Sequence, residues 1–557
     1  MTDTRLRMAI LAVAVAWVPA AAPAAADKTL TAKVPMSDGV KLATDVHLPS
    51  GEGPWPAVLM RTPYNRKRGG GRGYTRLGYA IVAQDMRGRF DSEGENLPFI
   101  GCGWVDHRDG ADTISWIRKQ SWCNGKVGTM GGSALGITQN LLAPTAPEGL
   151  AAQYIVVAAG SLYHHAAYVG GALRKSQVEG WLRGNRFDPN ALKLFADHPA
   201  YDEWWHKFDS IRACGRITAP AIHVGGWFDT FSAGTVASFV SRQHRGGKGA
   251  RGRQKLVMGP WTHGIGGLRA GELRFPKARV PSKYGAAPWF AHHLKGQGAG
   301  AKDLPAVTYY VMGDASDPDA PGNEWRSAPD WPIPCKPTAY YLHAGGKLST
   351  GRPAGIAGRG AWREYTFDPA DPCPTVGGCN LNLPGGPRNQ NRIEKRKDVL
   401  TFTTDPLAGP VEVTGHPKAK VFLTCSAVDT DLSVRFCDVY PDGKSYLMAE
   451  GMLRLRYRDG FEKPKPLPRG KVVEVDVELW PTSVAINKGH RIRVTITSSN
   501  YPRFDVNPGT AKPHRKGGKT VKQTNRIFCG GDRESRVILP VVSPAARTGG
   551  TASRRGI

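Results

Sequence analysis

A serine framed by glycines is the residue of this chain best suited to act as a nucleophile. Ser133 lies in the segment Val127-Gly-Thr-Met-Gly-Gly-Ser-Ala-Leu-Gly136, directly after an apolar run. A tight turn between a strand and a helix needs such small neighbours, and it leaves the serine hydroxyl exposed above the sheet. Gly-Gly-Ser is also an ordinary loop sequence, and the closing glycine stands one position later than the Gly-x-Ser-x-Gly spacing predicts.

A serine nucleophile needs a base and an acid that orients the base, and both follow later apolar segments. Ala221-Ile-His-Val-Gly-Gly-Trp-Phe-Asp229 leads into a carboxylate, and Lys255-Leu-Val-Met-Gly-Pro-Trp-Thr-His263 leads into an imidazole. The order serine, aspartate, histidine, each after a strand, is typical of a parallel hydrolase sheet. We therefore predict a catalytic triad of Ser133, Asp229 and His263.

Both partners of the serine also have a structural interpretation. Small polar residues follow Asp229, so its carboxylate can be the N-cap of a helix. His263 is one of 15 histidines in the chain. His223 lies inside a strand and is the weaker candidate base, whereas His164 and His165 fall in a helical region, on the substrate side or in a structural role.

The oxyanion of an acyl-transfer reaction needs hydrogen-bond donors. The N–H of Ala134, which follows the serine, is the usual first donor. The loop after the first buried strand, Arg61-Thr-Pro-Tyr64, offers the Tyr64 hydroxyl as a second donor. The alternative is that Tyr64 is a surface tyrosine that follows a proline turn. This chemistry requires no metal and no organic cofactor, and the chain has no Cys-x-x-Cys pair that indicates a metal site.

The elements that must position these residues follow an α/β pattern. Short apolar runs at 56–60, 79–83, 221–225 and 255–258 predict buried strands, and 110–118 has the spacing of an amphipathic helix. Strand–helix alternation of this kind indicates a parallel sheet covered by helices. After about residue 334 the chain turns to short alternating β segments, which predict a β sandwich.

These patterns divide the chain into six expected parts. They are a signal peptide at 1–26, a first part of the α/β domain at 27–144, a helical cap insertion at 145–216, a second part of the α/β domain at 217–334, an all-β domain at 335–542 and a disordered tail at 543–557.

The N-terminus and the cysteines bear on the compartment. Arg5 and Arg7 precede the apolar run 8–17, and Ala24-Ala25-Ala26 offers a cleavage site near Ala26, so we predict an exported protein, periplasmic or secreted. No later segment is long enough to span a membrane, which predicts a soluble mature protein. Nine cysteines is an odd number, and in an exported protein some of them are expected to pair.

The net charge of +28 would suit an anionic partner. The basic residues scatter or collect in glycine-rich loops such as 245–253 and 514–519, without interleaved aromatic residues. That distribution favours solvated loops over a nucleic-acid interface, so we predict no nucleic-acid partner. The oligomeric state stays open.

Motifs in a family-specific order run through nearly all of the mature chain. They are Arg61-Thr-Pro-Tyr64, Gln84-Asp-Met-Arg-Gly-Arg89, Gly132-Ser-Ala-Leu-Gly136, Gly226-Trp-Phe-Asp229, Gly259-Pro-Trp-Thr-His263, Trp289-Phe-Ala-His-His-Leu-Lys-Gly296 and the segments 398–400, 429–431, 438–443, 454–458, 489–493 and 502–507. With these motifs the chain resembles the cocaine-esterase-like branch of the X-prolyl dipeptidyl-peptidase superfamily. The resemblance implies an α/β-hydrolase domain with an inserted helical cap and a C-terminal, galactose-binding-like jelly roll.

The resemblance also implies roles for single residues. Ser133 becomes the nucleophile, His263 the general base and then acid, and Asp229 its orienting partner, while Tyr64 and the N–H of Ala134 form the oxyanion hole.

Other motif residues are expected to be structural. Asp85 and Arg87 should support the sheet edge and its loops, and Asp431, Asp438 and His490 should hold the jelly roll against the catalytic domain.

The chain departs from the family pattern at two positions. Ala134 stands where the family usually has tyrosine, which leaves the backbone donor but alters the pocket wall. Asn389 replaces an expected aspartate, which puts the salt bridge of that loop in doubt.

The leading interpretation is an exported serine hydrolase that cleaves a small-molecule carboxylic ester or amide, or a short peptide, through an acyl-enzyme. The α-amino acid ester hydrolases of the superfamily bind a substrate ammonium with acids just after the catalytic aspartate, where this chain has Thr230-Phe-Ser-Ala233. This difference favours a neutral acyl group, although cap acids such as Glu179, Asp202 or Glu203 can still approach the site. An X-Pro dipeptidyl-peptidase and a non-catalytic polymer-binding protein are the alternatives.

Overall fold

The computed structural model describes residues 28–543 except 69, 299–301, 354–360 and 513–517. The expected signal peptide and almost all of the expected tail lie outside the described residues. None of the helices within these ranges combines the length and the apolar character that a membrane crossing requires.

The N-terminal part of the chain alternates strands and helices. Its strands are β1 (Lys28–Pro35), β2 (Lys41–Leu48), β3 (Trp55–Thr62), β4 (Ala80–Asp85), β5 (Cys123–Gly132), β6 (Leu150–Val156), β7 (Tyr168–Val169), β8 (Ala172–Leu173), β9 (Ala221–Gly226), β10 (Lys255–Gly259), β11 (Arg269–Ala270), β12 (Leu273–Arg274), β13 (Val307–Val311) and β14 (Glu324–Ala328). Its helices are α1 (Asp109–Arg118), α2 (Ala134–Leu142), α3 (Lys175–Gly184), α4 (Asn190–Asp197), α5 (Glu203–His206), α6 (Ser232–Arg245) and α7 (Ala286–Lys295).

Ten of these strands form one sheet in the order β1-β2-β4-β3-β5-β6-β9-β10-β13-β14. The seven neighbouring strands β4-β3-β5-β6-β9-β10-β13 pair in parallel, and β1, β2 and β14 are antiparallel at the edges. Because both faces are covered by helices, most residues of the central strands are buried, small and polar ones included. The predicted α/β-hydrolase fold is confirmed, and the predicted strands and amphipathic helix correspond to β3, β4, β9, β10 and α1.

The helical cap starts later than the sequence predicts. Residues 150–156 are strand β6, which pairs with β5 and β9 in the middle of the sheet, although they fall inside the expected insertion at 145–216. The segment Leu-Ala-Ala-Gln-Tyr-Ile-Val has a weak strand signal because alanine and glutamine have low strand propensity. Its place between two parallel neighbours decides its conformation, and the cap helices α3, α4 and α5 follow only after it.

The C-terminal part is built almost entirely of strands. They are β15 (Lys336–Leu342), β16 (Leu348–Ser349), β17 (Trp362–Phe367), β18 (Leu400–Thr403), β19 (Val411–Gly415), β20 (Lys418–Cys425), β21 (Asp431–Val439), β22 (Ser445–Arg454), β23 (Val473–Glu478), β24 (Thr482–Ile486), β25 (Arg491–Thr497), β26 (Gln523–Gly530), β27 (Arg533–Glu534) and β28 (Arg536–Val541), with one short helix, α8 (Asn391–Glu394). A four-stranded sheet, β18-β25-β21-β22, faces a larger antiparallel sheet around β20, β26 and β28. This is the predicted two-sheet β domain.

The β domain and the hydrolase domain share one hydrophobic core. Val307 and Tyr310 of β13 belong to the same buried cluster as Leu423 of β20 and Val494 of β25. The backbone continues this contact, because Met312, just after β13, exchanges hydrogen bonds with strand β24 of the β domain. A shared core of this kind holds the two domains in one fixed arrangement.

Buried ion pairs support the loops that the sequence assigns to structure. Asp85 binds Arg66 at 2.7 Å, and Arg87 binds Asp109 at 2.6 Å. Unpaired, each of these buried charges would be costly, so the pairs fix the loops after the strands.

Buried ion pairs also join parts of the β domain to each other and to the loop after β13. His490 lies between Asp438 and Asp314 with N–O distances of 2.8 and 3.4 Å, and Asp314 belongs to the loop after β13. Asp431 binds Arg454 at 3.0 Å. The Asn389 side chain accepts a hydrogen bond from the backbone N–H of Ser445, so an amide takes the place of the expected carboxylate.

The expected disulfides are absent: all nine cysteines, each within the described ranges, are free. Cys425 ends a strand of the larger β sheet, whereas Cys437 lies in the four-stranded sheet. Cys373 and Cys379, though close in sequence, pack into two different apolar clusters. Their thiols serve as small apolar side chains, and proximity in sequence was a poor guide to proximity in space.

We predict that one thiol is reactive in the folded protein. Only Cys335 is exposed, and burial raises the pKa of Cys102 to about 11 and that of Cys529 to about 12. Titration with a thiol reagent is expected to find one fast-reacting group in the native state and nine after denaturation without reductant. Cys335→Ser should remove the fast phase, and fewer than nine thiols in the denatured wild type would contradict the free state.

Candidate active site

The turn between β5 and α2 holds Ser133 in a strained conformation. Its φ is 57° and its ψ is −126°, a combination that most residues avoid. Glycines make the turn possible: a Cβ at Gly131 would lie 2.5 Å from the Leu135 Cβ, and one at Gly136 would lie 2.6 Å from the Ala158 Cβ. The late glycine is therefore required by the packing of α2 against the segment after β6.

The three predicted triad residues meet at the carboxyl ends of their strands. The Ser133 Oγ lies 2.9 Å from His263 Nε2, and His263 Nδ1 lies 2.6 Å from Asp229 Oδ1. Asp229 is fully buried, and its Oδ2 accepts the backbone N–H of Phe231 at 3.0 Å. This chain of hydrogen bonds has the geometry of nucleophile, base and orienting acid.

The other candidate histidines lie away from the serine hydroxyl. His223 is buried in β9, where its Nε2 lies 3.2 Å from Gln254 Oε1. His164 and His165 lie in a π-helical turn of the cap, and burial lowers the pKa of both imidazoles. His263 is therefore the histidine that the fold brings to Ser133.

The Tyr64 hydroxyl reaches the serine from the loop after β3. It lies close enough to Ser133 for the serine side chain to lower its pKa slightly against the larger effect of burial, and it accepts the indole N–H of Trp181 at 2.9 Å. Burial raises the pKa of Tyr64, so the phenol keeps its proton. On the other side, Ala134 is the first residue of α2, and the N–H at that position has no partner within the helix.

Trp181 was not predicted from the sequence. It lies on α3 of the cap, stacks on Phe99 with ring centroids 5.6 Å apart, and occupies a lone pair of the Tyr64 hydroxyl with its N–H. A phenol that accepts one hydrogen bond in a fixed direction points its own proton elsewhere, which leaves the Tyr64 proton free to meet an acceptor beside Ser133. A tryptophan at helical spacing in an aromatic-rich segment carries no local sign of this contact.

An apolar cavity of about 50 Å³ opens beside the serine. Its lining comes from Ser133 and α2, the segment between β4 and α1, the cap, the loop after β9 and one residue of the β domain. The lining residues are Phe99, Ser133, Ala134, Ile137, Leu162, Ala166, Ala167, Gln177, Val178, Trp181, Leu182, Phe195, Phe231 and Leu381. None of them carries a charge.

The cap acids considered from the sequence lie elsewhere. Glu179 pairs with Lys175 at 2.6 Å on α3, and Asp202 contacts His198 at 2.6 Å. Glu203 is exposed in a separate surface cleft beside Trp204. The cavity therefore offers no carboxylate to a substrate ammonium within the residues that line it.

Fold and site together define the class of protein. A strained serine after β5, a histidine after β10 and an aspartate after β9 are arranged as in α/β-hydrolases. The chain is a hydrolase of the serine type.

Comparison with known proteins places the chain within that class. Residues 38–188 and 183–265 match the family model "X-Pro dipeptidyl-peptidase (S15 family)", and 299–538 match "X-Pro dipeptidyl-peptidase C-terminal non-catalytic domain". The cocaine esterase of Rhodococcus sp. (strain MB1 Bresler) is 32% identical over 91% of this chain and 97% of its own length. The chain belongs to the cocaine-esterase-like branch of the X-Pro dipeptidyl-peptidase superfamily.

Two solved structures share the whole architecture. An aminopeptidase from a marine sediment Thaumarchaeota archaeon is 26% identical, with a TM-score of 0.80 over 93% of this chain and 97% of that one. An α-amino acid ester hydrolase is 28% identical, with a TM-score of 0.79 over 94% and 98%.

We predict that Trp181 acts on catalysis through Tyr64. Tyr64→Phe removes the hydroxyl that we expect to donate to the oxyanion, and should lower kcat by about 100-fold or more. Trp181→Phe keeps an apolar ring but removes the N–H, and is expected to lower kcat by about tenfold, the effect of one hydrogen bond. In the Tyr64→Phe background the same Trp181 change should alter kcat less than about twofold, because the coupled partner is gone. Equal losses in both backgrounds would contradict the coupling.

Proposed function

We propose that the protein hydrolyses carboxylic esters or amides of neutral, apolar acyl groups through an acyl-enzyme on Ser133. The observation that supports this proposal is the hydrogen-bond chain from Asp229 through His263 to Ser133, which ends beside an uncharged cavity. We further propose export of the mature protein, on the strength of the N-terminal sequence alone.

The reaction follows from the positions of the atoms. His263 Nε2 takes the proton of the Ser133 hydroxyl as Oγ attacks the acyl carbon. The oxyanion that forms is stabilised by the N–H of Ala134 and the hydroxyl of Tyr64. His263 then protonates the leaving group, and afterwards activates the water that releases the acyl group and restores the serine. Asp229 stabilises the imidazolium in both halves.

The cavity wall supports the choice of acyl group. An ammonium placed there would lose its hydration without gaining a carboxylate, which costs several kcal/mol by order of magnitude. The amide of Gln177, the polar side chain in the wall beside Ser133, is already engaged by Thr230 and the Ala166 carbonyl. An apolar acyl group instead gains about 25 cal/mol for each Å² that it buries.

A second candidate is the cleavage of substrates with a free amino group. The similarity to the aminopeptidase and to the α-amino acid ester hydrolase favours it, as does the family model named for X-Pro dipeptidyl-peptidases. The uncharged lining beside Ser133 weighs against it.

We predict that Ser133 is the residue labelled by a fluorophosphonate probe. The wild type should form a stoichiometric adduct by mass spectrometry, with the added mass on the peptide that contains Ser133. Ser133→Ala should not be labelled, because the adjacent Ala134 and Leu135 carry no hydroxyl that could react in its place. A wild type that stays unlabelled, or a labelled Ser133→Ala variant, would refute the proposed nucleophile.

A matched substrate panel separates the two candidates. We expect kcat/KM for a neutral aryl ester to exceed that for the corresponding α-amino ester by about tenfold or more at about pH 7, because one unpaired buried charge costs at least about 1.4 kcal/mol. The preference should weaken as the pH rises above the ammonium pKa and the amine becomes neutral. Faster turnover of an X-Pro anilide than of every neutral ester would favour the peptidase instead.

A further inference from the structure

A buried arginine without a carboxylate partner lies next to the proposed triad. Arg174, at the N-terminus of α3, is 1% exposed, and no ion pair joins it to any carboxylate in the described part of the chain. Its guanidinium donates instead to neutral oxygens. A buried cation is costly unless its surroundings require it, so its acceptors are informative.

The acceptors of Arg174 come from three parts of the molecule. Nη1 donates to the carbonyl of His165 in the cap at 3.0 Å and to the carbonyl of Thr230 at 2.9 Å. Nη2 donates to the Thr230 hydroxyl and, at 3.3 Å, to the carbonyl of Cys379 in the β domain. Thr230 immediately follows Asp229, so the arginine holds the loop that carries the triad carboxylate.

The same contacts reach the cavity wall. The Thr230 hydroxyl accepts from Arg174 and donates to Gln177 Oε1, and Gln177 Nε2 donates to the carbonyl of Ala166 at 3.0 Å. Gln177 and Ala166 both line the cavity beside Ser133. One hydrogen-bond chain therefore runs from the wall of the cavity to the loop of Asp229.

The charge of Arg174 also acts on the triad. Burial lowers the pKa of Arg174, and the neighbouring Arg503 lowers it further, whereas the charge of Asp229 is among those that raise it. That attraction is mutual, and it adds an electrostatic link between the two side chains to the hydrogen bonds through Thr230. The titratable groups that face Arg174 are His165, Asp229, Cys379, Glu450 and Arg503.

We propose that Arg174 is a positioning residue for Asp229, fixing the aspartate loop against the cap and the β domain and placing a positive charge beside that loop. The inference rests on the proposed function, because it needs Ser133, His263 and Asp229 to be the catalytic groups. It explains why the cap and the β domain converge on the loop after β9.

The test measures the rate of fluorophosphonate labelling against pH for Arg174→Met and Arg174→Lys. Arg174→Met takes a positive charge away from the neighbourhood of the triad, so the acidic midpoint of its labelling profile should move to higher pH. Its plateau rate should fall about tenfold or more, since the loop loses its donors. Arg174→Lys keeps the charge but not the fork of N–H groups, so its midpoint should stay near that of the wild type while its rate falls.

Arg242→Met is the matched control for loss of a buried arginine. Arg242 is also 1% exposed, donates to neutral groups, Gln153 Oε1 at 2.8 Å and Asn140 Oδ1 at 2.7 Å, and has a pKa lowered by burial. Its replacement should lower the melting temperature as Arg174→Met does and leave the acidic midpoint unchanged.

The outcomes are distinct. A wild type that is not labelled refutes the proposed function. A labelled wild type with an Arg174→Met variant of unchanged rate and midpoint overturns the role of Arg174 alone. The role of Arg174 is also overturned if the Met and Lys variants have the same acidic midpoint, or if Arg242→Met shifts the midpoint as much as Arg174→Met does.

If Arg174→Met does not fold, the Thr230→Val variant decides, because it removes the hydroxyl link but keeps the charge. A reduced labelling rate with an unchanged midpoint supports the role of Arg174, and a wild-type rate overturns it.

Discussion

The burial of one carboxylate organises the catalytic half of this molecule. Asp229 has no exposed surface, and an isolated anion in such a place would take up a proton or disrupt the fold. Three features surround the carboxylate: the imidazole of His263 at one oxygen, the N–H of Phe231 at the other, and Arg174, which holds the same loop through Thr230. The loop after β9, the turn after β10 and the start of α3 are all held by that requirement.

The cap and the β domain contribute to the site as well as enclosing it. Trp181 and Gln177 come from the cap, and Leu381 from the β domain reaches the cavity wall. The amide of Asn382 donates to the Ser176 carbonyl at the start of α3, which ties that β-domain loop to the cap. The core is continuous between the domains, so the cavity wall combines residues of domains that pack directly against each other.

Local patterns were sufficient wherever one segment carries its own signal. The apolar runs before Asp229 and His263 formed strands because they are long enough to be buried on both faces, and the glycines around Ser133 formed the turn because few other residues fit it. Strand β6 was missed because its alanines and glutamine give no strand signal until neighbouring strands flank them. The disulfides expected from export were wrong, since spacing along the chain does not bring two thiols together.

The sequence by itself determined the α/β-hydrolase architecture, the all-β second domain, the family and the candidate triad, because each of these depends on periodicity or on residues at fixed places after strands. Only the tertiary structure decided the wall of the cavity, the contact of Trp181 with Tyr64 and the burial of Arg174 beside the aspartate loop. The physical reason is that these contacts join segments far apart in the chain. Such contacts depend on how distant segments pack together, and the sequence of one segment does not predict that packing.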